Sequence, residues 1–128
     1  MAVDKNMNVL IVDDYKTMLR IIRNLLKQIG FNNVEEATDG GEALSKAREK
    51  APDLIISDWN MEPMTGLQLL KEVRKDDSLK HIPFIMITAE SKTENVIAAK
   101  QAGVNNYIVK PFNAETLRTK MAAVLGAF

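Results

Sequence analysis

The sequence predicts an α/β fold built on a doubly wound, five-stranded parallel sheet. Five short apolar runs alternate strictly with five helical stretches, and such alternation places helices on both faces of a parallel sheet. The first run is β-branched and apolar throughout, as a strand covered on both faces must be. Crossovers of this length are expected to be right-handed.

Each element has its own signal. Asn8-Val-Leu-Ile-Val-Asp13 reads as the first strand. Tyr15, Met18, Leu19, Ile22, Leu25, Leu26 and Ile29 recur every three or four residues, which predicts one apolar helical stripe ending at Gly30. Asn33 to Ala37 is a short second strand. Asp39, with Glu42 three residues on, is expected to cap a helix reaching Lys50 before Pro52. Leu54-Ile-Ile-Ser-Asp58 is the third strand, and Thr65 to Arg74 the third helix, opened by a Thr65–Gln68 capping box. Pro83 to Thr88 is the fourth strand. Ser91 and Glu94 form a capping box for a helix that stops near Gly103. Asn106-Tyr-Ile-Val-Lys110 is the fifth strand, and Asn113 caps a last helix carrying Leu117, Met121, Val124 and Leu125.

The 128 residues suit a single domain, 1–128, large enough to bury a core without disulfides or structural metal. Lysine plus arginine and aspartate plus glutamate number 17 each, so no net field draws the chain to nucleic acid or an anionic membrane. Cysteine is absent, which removes thiolate chemistry and fits a cytoplasmic setting. No signal-like segment opens the sequence, and no apolar run is long enough to span a bilayer.

Polar residues end four of the five strands: Asp13-Asp14, Asp58, Thr88 and Lys110. In open parallel sheets, functional groups collect beyond the carboxyl ends of the strands. Three carboxylates brought together there raise one another's pKa values. Mg²⁺ relieves the repulsion, since it binds a few carboxylate oxygens and leaves room for a phosphate oxygen. With Asp58 as nucleophile, Thr88 as hydroxyl donor and Lys110 as opposing charge, the set suits phosphoryl transfer to a carboxylate.

Asp13-Asp14, Asp58, Thr88-Ala89 and Lys110-Pro111 resemble the signature of the response-regulator receiver domain, over essentially the whole chain. Asn24 to Ala37, Ser57-Asp-Trp-Asn-Met61 and Tyr107-Ile-Val-Lys-Pro-Phe112 are similar to the single-domain bacterial chemotaxis type. The resemblance implies a flavodoxin-like (β/α)5 fold with strand order 2-1-3-4-5. It implies that Asp58 is the phosphoacceptor and that Asp13, Asp14, Asp58 and the Asn60 backbone carbonyl hold Mg²⁺. It further implies Thr88 and Tyr107 as the switch pair, Lys110 as the family lysine before a cis proline, and Asn60 and Glu90 as residues that tune hydrolysis. No role falls to His81.

The implied function is a phosphorylation-activated switch in a bacterial two-component chemotaxis system. The partners are a histidine kinase and an output protein such as the flagellar motor switch, with the protein itself monomeric and catalysing only its own phosphorylation and dephosphorylation. With no output domain in view, the expected contact surface is the face of the fourth helix, fifth strand and last helix: Lys92, Val96, Lys100, Tyr107, Val109 and Lys120. A phosphate sink or phosphorelay receiver without motor output is the alternative within the family.

Two other classes fare worse. A haloacid-dehalogenase-like phosphatase requires a second aspartate two residues after the nucleophile, where this sequence has Asn60. A flavodoxin-like cofactor carrier requires a phosphate-binding loop after the first strand, where Asp13-Asp14 repel phosphate. One departure from the receiver pattern stands beside the site. The proline that usually follows the residue at Met61 is Glu62, and proline comes next as Pro63.

Overall fold

The computed structural model describes residues 4–89 and 93–126. Its strands are β1 (Val9–Val12), β2 (Val34–Ala37), β3 (Leu54–Asp58), β4 (Phe84–Thr88) and β5 (Asn106–Val109). Its helices are α1 (Lys16–Gln28), α2 (Gly40–Glu49), α3 (Gly66–Lys75), α4 (Thr93–Gln101) and α5 (Ala114–Leu125). The strands form one parallel sheet in the order β2-β1-β3-β4-β5. Both the fold class and the order match expectation. Among the described residues no helix is long and apolar enough to cross a membrane.

Composition decides which strands are central. β1, β3 and β4 are buried at every position, and they occupy the middle of the sheet. β2 carries Glu35 and Glu36, β5 carries Asn106 and Tyr107, and both lie at edges where one flank needs no cover. Alternation along the strands feeds two cores. Val9, Ile11, Leu54, Ile56, Ile85, Ile87 and Ile108 pack with Leu19, Ile22 and Leu26 of α1 and Leu117 and Met121 of α5. Leu10, Val12, Ile55, Phe84 and Met86 pack with Ala43, Leu44 and Ala47 of α2 and Leu69, Leu70 and Val73 of α3.

The caps hold with adjustments. Thr65 and Gln68 make the reciprocal capping box of α3. Asn113 Oδ1 accepts from Thr116 N–H at the start of α5. Asp39 accepts from Glu42 N–H, but the Glu42 carboxylate reaches back to Thr38 N–H, one residue further than expected. Tyr15 is a correction: it is the N-cap position of α1, 61 % exposed, and contributes nothing to the apolar stripe. The capping pair Ser91–Glu94 lies in part outside the described residues. Gly30 and Gly103 end α1 and α4 with positive φ, +102° and +93°, a conformation costly for any residue with a Cβ.

Arg74 fastens the end of the sheet opposite the strand C-termini. Its Nε and Nη2 donate to Gly103 O, its Nη1 to Lys80 O and Ile82 O, and Nη2 also to Asn105 Oδ1. Asn105 Oδ1 in turn accepts from Phe84 N–H at 2.8 Å. One guanidinium thus joins α3, the approach to β4 and the α4–β5 turn, with every N–H used. Arg74→Ala strands several carbonyls at once and is expected to lower unfolding free energy by about 2–3 kcal/mol. Lysine, a point donor, should recover less than half of that. Denaturant unfolding measures both, and a loss below about 0.5 kcal/mol, the range of ordinary surface substitutions, would contradict this role.

Candidate functional site

The sheet order brings the polar strand ends together. β1 and β3 are neighbours, so the Asp13-Asp14 pair after β1 sits beside Asp58, the last residue of β3. β4 lies next to β3 and ends at Thr88, while β5 lies next to β4 and is followed by Lys110. Backbone bonds hold this register: Trp59 N–H donates to Ile87 O, and Lys110 N–H to Thr88 O, each at 2.8 Å.

Asp13, Asp14 and Asp58 can each offer a carboxylate oxygen within 4.8 Å of the other two. Asp13 and Asp58 are almost fully buried, Asp14 is exposed, and Thr88 is buried. Lys110 Nζ lies 2.9 Å from Asp58 Oδ1 as an ion pair, at an angle that leaves Oδ1 without a formed hydrogen bond. Asp13 Oδ1 accepts from Tyr15 N–H at 2.9 Å, but Asp13 Oδ2 is buried with no hydrogen-bond partner.

The electrostatic consequences follow. Burial pushes the Asp13 carboxyl up to about 6, opposed by the Tyr15 N–H and reinforced by the Asp58 charge. Burial also raises Asp58, with Lys110 pulling the other way and Asp14 adding to the rise. A buried carboxylate oxygen without a donor is destabilising unless something positive faces it. Three convergent carboxylates, two buried and one open to solvent, fit a hard divalent cation that retains water and accepts a further oxygen ligand.

The loop after β3 is built around a close approach. Gly66 N–H donates to Trp59 O at 2.9 Å, and a Cβ at Gly66 would stand 2.2 Å from Asp58 O and 2.9 Å from Trp59 Cα. Glycine alone lets α3 start this near the β3 end. Glu62–Pro63 and Lys110–Pro111 are both cis; the second matches expectation. Asn60 and Glu62 are exposed in this loop. Met64 folds across it onto Gly40, the first residue of α2.

Tyr107 is half-buried and meets Trp59 edge to face, with ring centroids 6.4 Å apart and planes at 75°. The sequence did not disclose this contact, which ties the residue after Asp58 to the candidate switch ring. The sheet order would have revealed it, since Tyr107 pairs with Met86 and Met86 shares a core with Trp59. Val96, Lys100 and Tyr107 line one shallow groove. Val109 and Lys100 are exposed, and Lys120 is half-buried, its carbonyl accepting from Asn106 Nδ2 at 3.0 Å. Glu90 and Lys92 lie outside the described residues.

Residues 9–122 match the family described as "Response regulator receiver domain". The chain is 55% identical over 118 residues to Chemotaxis protein CheY-3 of Vibrio cholerae, covering 92% of this chain and 91% of the relative. It is 51% identical over 118 residues to Chemotaxis protein CheY of Pseudomonas aeruginosa, covering 92% and 95%. The solved structure of Vibrio cholerae CheY4 superposes with a TM-score of 0.88 at 40% identity, covering 94% of this chain and 99% of that one. The receiver domain of the Pseudomonas aeruginosa sensor histidine kinase PA1611, with a magnesium ion coordinated in its active site cleft, superposes at 0.85 and 25% identity, covering 95% and 99%. CheY is itself a standing example of the 2-1-3-4-5 order, so strand order and family are one observation and not two. Family match, relatives and architecture agree: this chain belongs to the response regulator receiver domains.

Proposed function

We propose that the chain, as a single receiver domain over 1–128, is a phosphorylation-activated switch of the chemotaxis type, with Asp58 as phosphoacceptor. The observation that carries this is a buried carboxylate held at a strand end by Lys110, inside a cluster of three acidic groups. Mg²⁺, held by Asp13, Asp14, Asp58 and the Asn60 carbonyl, would neutralise charge on the phosphoryl oxygens and on the cluster together. The PA1611 receiver, similar in fold, coordinates the same ion in its active site cleft.

The chain's own groups then divide the work. An Asp58 carboxylate oxygen attacks the phosphorus of a phosphohistidine donor; the P–N bond breaks, its electron pair leaves with the imidazole, and an acyl phosphate forms on Asp58. Lys110 faces the oxygens that carry negative charge in that transfer. No proton has to leave Asp58, which must be ionised when it attacks. Water later attacks the phosphorus; the P–O bond to Asp58 breaks, inorganic phosphate leaves and the Asp58 carboxylate is restored, with Asn60 and Glu90 tuning how fast this happens. The product is a signal rather than a metabolite.

The added group carries roughly two negative charges. Thr88 turns its hydroxyl toward them, and Tyr107 shifts its ring against Trp59. The α4–β5–α5 face, with Val96, Lys100, Tyr107, Val109 and Lys120, changes by population shift. The chain works in the cytoplasm, its phosphodonor is a chemotaxis-type sensor histidine kinase, and its target is a flagellar motor switch protein. Relatives named as chemotaxis proteins at 51% and 55% identity support this reading.

Two experiments check it. With Mg²⁺ and a small acyl-phosphate donor, wild type should incorporate phosphoryl label and Asp58→Asn should not; equal labelling of both removes Asp58 from the role. In extracts, a motor-switch protein should be captured by the beryllofluoride-loaded protein and not by the bare one. Capture regardless of loading would contradict a phosphorylation-activated switch, and capture of no motor component at all would move the assignment to the phosphate-sink alternative.

A further inference from the structure

The β2 edge of the sheet is closed by two cations from opposite layers. β2 pairs with β1 through the backbone of alternate residues: Val9 N–H donates to Asn33 O, and Asp13 N–H to Ala37 O. The register therefore turns the backbone groups of Val34 and Glu36 outward, away from the sheet. Both outward carbonyls are taken. Arg23 of α1 donates from Nη2 to Val34 O at 3.0 Å, and Lys46 of α2 donates from Nζ to Glu36 O at 2.5 Å. Arg23 also pairs through Nε with the Glu36 carboxylate at 2.7 Å. α1 belongs to one core layer and α2 to the other, so the edge is gripped from both sides.

An unpaired strand edge is a template for another strand, from a second copy or any extended segment. A strand adding to β2 would need the Val34 and Glu36 carbonyls as acceptors and would have to pass through Arg23 and Lys46. The other edge is treated differently. On β5, Val109 is exposed, and the outward N–H of Tyr107 is taken by the side chain of its own neighbour, Asn106. That side chain is itself steadied by the flanking helix α5, its Nδ2 donating to Lys120 O at 3.0 Å.

We infer that Arg23 and Lys46 act together as a guard that bars strand addition at β2, keeping this edge free of self-association whatever the phosphorylation state. The guard is independent of the candidate phosphorylation chemistry, since neither residue belongs to the carboxylate cluster.

The test removes the cations, and with them the Glu36 charge that would otherwise keep repelling a partner: Arg23→Met/Glu36→Gln/Lys46→Met. A control, Lys71→Met/Glu72→Gln/Lys75→Met, makes the same charge change on α3, away from any strand edge. In sedimentation over rising concentration, the edge variant should associate while the control and wild type stay monomeric. In the associated form, the Val34 and Glu36 amides should gain protection from hydrogen exchange. An edge variant as monomeric as the control overturns the inference, as does association that leaves those two amides unprotected. If the triple variant loses its fold by circular dichroism, Lys46→Met alone, which frees one carbonyl, carries the same outcomes.

Discussion

Two carboxylates are buried at the ends of adjacent central strands, and a third is held beside them in solvent. Asp13 and Asp58 cannot separate, because β1 and β3 pair in register and each strand is apolar and buried along its length. Nor can they solvate freely, because helices cover both faces. The fold therefore holds an electrostatic conflict in place, and a cation is its natural resolution. Lys110 answers part of it at Asp58, leaving Asp13 Oδ2 without a donor.

The surrounding structure keeps that conflict from relaxing. Gly66 brings α3 hard against the β3 end, and the Gly66 N–H bond to Trp59 O closes the loop between them. Met64 lies across Gly40, linking the loop to α2. At the far end of the sheet, Arg74 fixes where α4 turns into β5. The Trp59–Tyr107 contact spans from the end of β3 to β5, so a charge added at Asp58 has a short packed route to the face proposed for partners.

Much of this was readable in the sequence because the signals were local. Alternating apolar runs announced the strands, and Thr65–Gln68 and Asn113 announced helix starts that bond as expected. Strand-end Asp13, Asp14, Asp58 and Lys110 were legible as a set, and parallel topology does bring them together. What stayed hidden depends on distance in the chain. Spacing counted Tyr15 into the α1 stripe, but a helix periodicity cannot tell the N-cap residue from the first buried turn. The Trp59–Tyr107 pairing, the Arg74 network and the Arg23–Lys46 grip on β2 each join segments whose adjacency follows only from strand order and helix layer. Strand order itself came from resemblance, since alternation is compatible with several orders.

The most direct measurement concerns Asp13. Its carboxyl is raised to about 6 in the folded protein, against 3.8 ordinarily. The folded state thus binds this proton more tightly than the unfolded chain does. The stabilisation it gives is fully present below about 4 and lost as pH rises through about 6. Thermal melting of wild type and Asp13→Asn, followed from pH 4 to 8 without divalent ions, isolates that contribution. Metal-free wild type should lose stability relative to Asp13→Asn as pH climbs through about 6, and saturating Mg²⁺ should cancel the loss. Parallel curves for the two proteins, unchanged by Mg²⁺, would contradict a buried carboxylate conflict that a cation resolves.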